Sequence, residues 1–183
     1  MSNIACMIDI ETLSSRNDAV ILTIGAVRFS LPGDNSPAEI VRHSSFYRRI
    51  VPQSNRHIDP QTVTWWMQED DYVSRNEAFI CTDRVSLHET LVELFDFARN
   101  CDSYWSHGVT FDLMVLQNAY EQYQCKPPWH YTKMRDTRTL FSLLTKEQQE
   151  AVWPDNLFKH HALWDAATQA VAVQRAYKKL AIA

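Results

Sequence analysis

Three strand-like runs crowd the first fifty residues, and they constrain the fold more than any other feature of the chain. Ile4–Ile10 is short and apolar, the pattern of a buried strand. Ala19–Phe29 (AVILTIGAVRF) is a longer run of the same kind. The stretch Leu31-Pro32-Gly33-Asp34-Asn35-Ser36-Pro37 is a strong turn signal. Ile40–Val51 then reads as a third strand, with Phe46, Tyr47 and Ile50 as its apolar points. Consecutive strands joined by short turns predict an antiparallel meander.

Beyond this point helical and strand patterns alternate. Asp59-Pro60 opens a helix through Thr62–Gln68, because proline is favoured in a first helical turn. Val85–Asn100 places Leu87, Leu91, Leu94, Phe95 and Ala98 at helical spacing. Ser103–Ser106 is a short strand, and Thr110–Tyr123 is a helix with Leu113, Leu116, Ala119 and Tyr120 on one face. After the Pro127-Pro128 break come a short strand over Trp129–Met134 and a helix over Thr137–Leu144. A last helix covers His161–Leu180. The expected class is α/β: a mixed five-stranded sheet, three antiparallel strands then two parallel, flanked by helices. Ligands of such sheets bind outside the carboxyl ends of the strands.

With 183 residues, no repeat and no linker-like tract, the chain is expected to form a single domain over 1–183. No apolar run approaches 18 residues, so no membrane association is expected, and no signal peptide is visible. Cys6, Cys81, Cys101 and Cys125 are scattered and form no C-x-x-C pair. That argues against a zinc site or a disulfide framework and points to the reduced cytoplasm. The net charge of −4 runs against the basic surface usual in nucleic-acid binders. Two divalent cations held by carboxylates would cancel it, so local charge must decide.

Three clusters carry chemistry. In Asp9-Ile10-Glu11, strand alternation puts both carboxylates on one side, where they repel each other and would bind a cation. Alone, the pair reads as a strand end reaching solvent, because D-x-E is a weak signal. In Trp105-Ser106-His107-Gly108-Val109-Thr110-Phe111-Asp112 a strand ends, the chain turns at glycine, and a helix begins with Asp112 in its first turn. An aspartate there could simply complement the helix dipole. In His160-His161-Ala162-Leu163-Trp164-Asp165, an acid sits one turn into an apolar helix behind two histidines that could equally be solvent-facing caps.

Taken together, a strand-borne D-x-E, a helix-borne Asp about a hundred residues on and a C-terminal H-x-x-x-x-D resemble the DEDDh branch of the DnaQ-like, RNase H-like 3′→5′ exonucleases. The resemblance spans almost the whole chain in order. Asp9-Ile10-Glu11-Thr12-Leu13, the stretch Asp59–Met67 with Trp65-Trp66, and Arg135-Asp136-Thr137-Arg138-Thr139-Leu140 are most similar to the phage-type exonuclease A group and the small bacterial 3′→5′ exoribonucleases. The DEDDh branch has its histidine five positions before the last Asp, which is His160. A sister branch has tyrosine four positions before it, the slot of His161, so His161 stays an alternative. The chain departs from the pattern at Gly108, where many members carry asparagine.

The resemblance implies an RNase H-like fold and a metal-dependent 3′→5′ exonuclease that releases nucleoside 5′-monophosphates. It implies that Asp9, Glu11, Asp112 and Asp165 hold two Mg²⁺ or Mn²⁺ ions, hard oxygen donors suiting both. His160 would take a proton from the attacking water, as imidazole can near neutral pH. Thr12, Leu13, His107 and Phe111 are expected to touch the terminal nucleotide, and Trp65 and Trp66 either stack on bases or pack in a core or subunit contact. Arg135 and Arg138 could reach phosphates or pair with Asp136 and other surface acids. Expected partners are 3′ ends of single-stranded DNA or RNA; relatives and six tryptophans also suggest a homodimer. Two competing readings remain: a non-catalytic nucleic-acid-binding module, which should lack one of these groups, and a polymerase's proofreading subunit, which should carry an added segment.

Overall fold

The computed structural model describes residues 3–69, 72–156 and 158–182. A five-stranded sheet forms its centre, in the order β3-β2-β1-β4-β5. Strands β1 (Asn3–Thr12), β2 (Ile21–Leu31) and β3 (Ser45–Arg49) are antiparallel; β4 (Ser103–Ser106) and β5 (Met134–Asp136) join parallel to β1. The mixed sheet is thus the one expected. Among the described residues no helix is long and apolar enough to cross a membrane.

β1 is covered on both faces, and its alternation sorts two cores. Cys6, Ile8 and Ile10 pack with helices α4 (Leu87–Ala98) and α5 (Asp112–Gln122). Ala5 and Met7 pack with α6 (Thr137–Phe141), α7 (Lys146–Val152) and α8 (Ala162–Lys179). Period-2 geometry carries that second row onward to Asp9 and Glu11, so both acids face the α8 side.

Gly25 explains how α8 comes so near. It pairs with Asp9 in the β1–β2 register, and a Cβ placed on it would lie 2.3 Å from the carbonyl carbon of Ala162 and the nitrogen of Leu163. Only hydrogen allows the first turn of α8 to rest on β2 beside Asp9.

Several local expectations are corrected. The third strand does not begin at Ile40: residues 37–43 form helix α1 (Pro37–His43), and β3 starts only at Ser45. Ser36 and Glu39 make a capping box around Pro37, and these signals outweigh the strand-like residues that follow. The fifth strand is Met134–Asp136 rather than Trp129–Met134, since Trp129 is buried against Tyr104 and Tyr120 and residues 131–133 form a 3₁₀ turn. Helix α2 (Pro60–Gln68) matches expectation, but the helical turn α3 (Tyr72–Arg75) with its π-helical extension Asn76–Ile80, and α7, were not foreseen. Trp66, Trp105 and Trp129 are core side chains, so they do not argue for a subunit contact.

Candidate active site

The carboxyl end of β4 stops short of the end of β1. The β1–β4 pairing runs only from Ala5–Ser103 to Met7–Trp105, after which the edge of β1 is open. The chain turns through Gly108, at φ +129°, into α5. Asp112, first residue of that helix, then fills the vacated place: its Oδ1 accepts the Ile10 amide at 3.3 Å. This is the position outside the strand ends that the sheet type predicts.

From the opposite side α8 brings Asp165 and, one turn later, Gln169. The Gln169 Nε2 donates to Asp9 Oδ1 at 2.8 Å. Asn156 Nδ2 donates to Asp165 Oδ1. Glu11, Asp165 and His160 each place a metal-ligating atom within 4.8 Å of the others. The structure therefore gathers Asp9, Glu11, Asp112, Asp165 and His160 from β1, α5 and the start of α8.

The two adjacent histidines part company. His160 occupies left-handed backbone space at φ +58°, and its ring stands edge-on to Trp65, 4.9 Å between centroids, with Nε2 3.7 Å from Glu69 Oε2. His161 sits at the N-cap position of α8, but its side chain points elsewhere: it stacks on Tyr47 at 4.6 Å, with Nε2 3.9 Å from Glu77 Oε2. Ser74 donates to the Lys159 carbonyl and ties down the preceding residue. The turn 159–161 is thereby held by α2, by the Tyr72–Ile80 segment and by β3.

Burial, and for Asp9 and Glu11 also neighbouring charge, raises the proton affinity of these acids. Asp9 is pushed well above the usual carboxylate range by burial, then by Asp112, Asp165 and Glu11, with the Gln169 amide opposing. Glu11 moves the same way, through burial and the charges of Asp165 and Asp112. Burial lifts Asp112 to about 7, against the Ile10 amide and the Arg138 charge. Such mutual strain among carboxylates is relieved by cations.

Beside the acids opens a cavity of about 650 Å³, lined by His107, Trp153, Asn156, Lys159, Asp165 and Gln169 among others. His107 Nδ1 lies 2.6 Å from Thr137 Oγ1, and its ring is edge-on to Trp153 at 5.3 Å. The other residues expected at the nucleotide lie differently. Thr12 is buried; its hydroxyl donates to the Ser14 carbonyl and its own carbonyl accepts Trp66 Nε1. Leu13 is buried with Val20, Leu22 and Trp66, and Phe111 packs against the α4–α5 core. Trp65 is 43 % exposed. Gln169, Asn156, Trp153 and Lys159 were not foreseen; only Gln169 left a signal, its i+4 spacing from Asp165.

Comparison with known proteins adds a family and a fold. The family described as the 3'-5' exoribonuclease Rv2179c-like domain matches residues 5–177. A comparison with curated proteins found no match. The nuclease domain of 3'hExo, described as a DEDDh family member bound to rAMP, superposes with a TM-score of 0.64 at 15% identity, over 97% of this chain and 93% of that one. Exonuclease X in complex with 5' overhanging duplex DNA gives 0.61 at 17% identity, over 98% and 94%. Escherichia coli exonuclease I with a dT13 oligonucleotide gives 0.65 at 14% identity, and this chain spans 42% of its length. The β1 acids, the α5 aspartate and the α8 aspartate thus stand on the fold of the DEDDh exonucleases, and the chain belongs to the Rv2179c-like 3'-5' exoribonuclease domain family.

Proposed function

We propose that the chain uses Asp9, Glu11, Asp112, Asp165 and His160 to hydrolyse the last phosphodiester bond at the 3′ end of single-stranded nucleic acid, with RNA preferred. The convergence of the four carboxylates and His160 carries this reading. The exoribonuclease description of the family supports RNA.

The residues fit a divalent cation: the donors are hard carboxylate oxygens, three ligating atoms lie within 4.8 Å, and the acids raise one another's proton affinity. Two bound Mg²⁺ or Mn²⁺ ions would neutralise the phosphate and the leaving oxygen and acidify the attacking water. Asp9, Glu11, Asp112 and Asp165 would hold them, with Gln169 fixing the rotation of the Asp9 carboxylate and Asn156 that of Asp165. His160 would accept the proton of the attacking water. Water oxygen joins phosphorus, the bond to the 3′ oxygen breaks, and a nucleoside 5′-monophosphate leaves. Trp153 and His107 would wall the nucleotide's cavity.

The expected result is shortening of 5′-labelled single-stranded RNA one nucleotide at a time with Mg²⁺ or Mn²⁺, none with EDTA, and slower cleavage of DNA of the same sequence. Internal cuts, or undiminished cleavage in EDTA, would overturn the mechanism; faster cleavage of DNA would overturn the sugar preference.

A stability effect follows from the same acids. Their folded-state pKa values are raised, so the stability they contribute is full below about pH 4, where unfolded carboxylates also protonate. It is lost as pH climbs toward about 7, the value for Asp112. Metal-free protein should therefore melt at lower temperature at pH 7.5 than at pH 5.5, Mn²⁺ should reverse the loss, and Asp112→Asn should shrink it. A wild-type melting temperature that rises over this range in EDTA contradicts the electrostatic picture.

A further inference from the structure

We propose that Arg138 binds a phosphate of the substrate strand other than the one being cleaved, an inference that rests on the exonuclease reading above. The junction between β5 and α6 is locked onto the turn that precedes Asp112. Asp136 Oδ2 accepts the Val109 amide at 2.8 Å, while its Oδ1 accepts the amides of Arg138 at 2.7 Å and Thr139 at 3.4 Å. Thr137 Oγ1 meets His107 Nδ1 at 2.6 Å. With Asp136 committed to backbone amides, Arg138 forms no ion pair among the described residues.

The guanidinium lies instead over Gly108, where a Cβ would come within 2.9 Å of Nη1. That places an exposed cation against the turn whose next residues lead to Asp112. Arg135, three residues earlier, differs. Its Nη1 donates to the carbonyls of Thr132 and Met134 at 2.7 and 2.8 Å. Glu11, Asp165 and His160 bring their ligating atoms together, whereas the Arg138 guanidinium stands on the Gly108 turn next to His107. A polyanion entering such a site meets an unpaired, planar, permanently charged fork suited to a phosphate.

The test compares a single-stranded RNA oligonucleotide with the p-nitrophenyl ester of thymidine 5′-monophosphate, which has one phosphate only. Arg138→Ala should lower kcat/KM on the oligonucleotide about tenfold, mostly through KM, and by less than about threefold on the ester. The slope of log KM against log salt should fall by about 0.7, the share of one phosphate contact on a single strand. Arg138→Lys should recover part of the loss. Equal losses on both substrates would overturn the assignment in favour of an action on the reacting phosphate, and an unchanged oligonucleotide KM would overturn it outright. A variant that no longer melts cooperatively would move the comparison to Arg138→Lys and Arg138→Gln, judged by the same split. Failure of the wild type to cleave either substrate would instead overturn the exonuclease reading itself.

Discussion

Alanine at Asp9, Asp112 or Asp165 is expected to reduce hydrolysis by at least about 10³-fold without harming the fold. Removal of a single hydrogen-bond donor to a transition state costs about 10²–10³-fold, and a metal ligand does more, because it places the charge that such donors only assist. The fold should survive because these groups oppose it. Asp9 and Glu11 are held above the usual carboxylate range by burial and mutual repulsion, and burial pushes Asp112 up to about 7. Taking one charge away relieves its neighbours, so metal-free Asp112→Ala should melt no lower than wild type at neutral pH. Its lost hydrogen bond from the Ile10 amide, 3.3 Å long, is a small local cost. Purified variants measured for single-stranded RNA cleavage and thermal unfolding give both quantities. Normal turnover by any of the three sinks the ligand assignment, and a collapsed melting temperature would make the acids structural.

His160→Ala should lose about 10²–10⁴-fold in kcat, the usual worth of a positioned general base, while His161→Ala stays within about tenfold. The geometry of the turn makes the difference. His160 adopts φ +58° and shares ligand-atom distances under 4.8 Å with Glu11 and Asp165, whereas His161 is stacked on Tyr47 beside Glu77. Metal-induced thermal stabilisation in His160→Ala should persist, since the four carboxylates remain. A large loss at His161 with none at His160 would reverse the assignment.

Much of this site was legible because its signals are local. Asp9 and Glu11 follow from strand alternation, Asp112 from the strand–Gly–helix passage, and Asp165 from an acid one turn into an apolar helix. The mixed sheet followed from the order of runs. What could not be read depends on contacts between distant segments. Nothing near Gly25 announces that Ala162 and Leu163 lie against it, yet that contact sets the height of α8 over Asp9. Thr12 and Leu13 adjoin the first acids in sequence, but a register shift after Glu11 and the docking of Trp66 bury them. The Asn156 contact with Asp165 comes from a loop without periodicity. At α1, Ser36-Pro37-Ala38-Glu39 carries a helix-start signal, and the Pro-Gly turn directly before it sits in a strand-rich stretch that masks it. At β5 the strand is three residues long, too short for any alternation to register.

These four carboxylates are expected to hold the catalytic cations. Anomalous scattering from crystals soaked in Mn²⁺ tests this most directly. Peaks should appear enclosed by Asp9, Glu11, Asp112 and Asp165 and be lost in an Asp165→Ala crystal. Peaks elsewhere on the molecule, or none at a manganese concentration that supports cleavage, would contradict it.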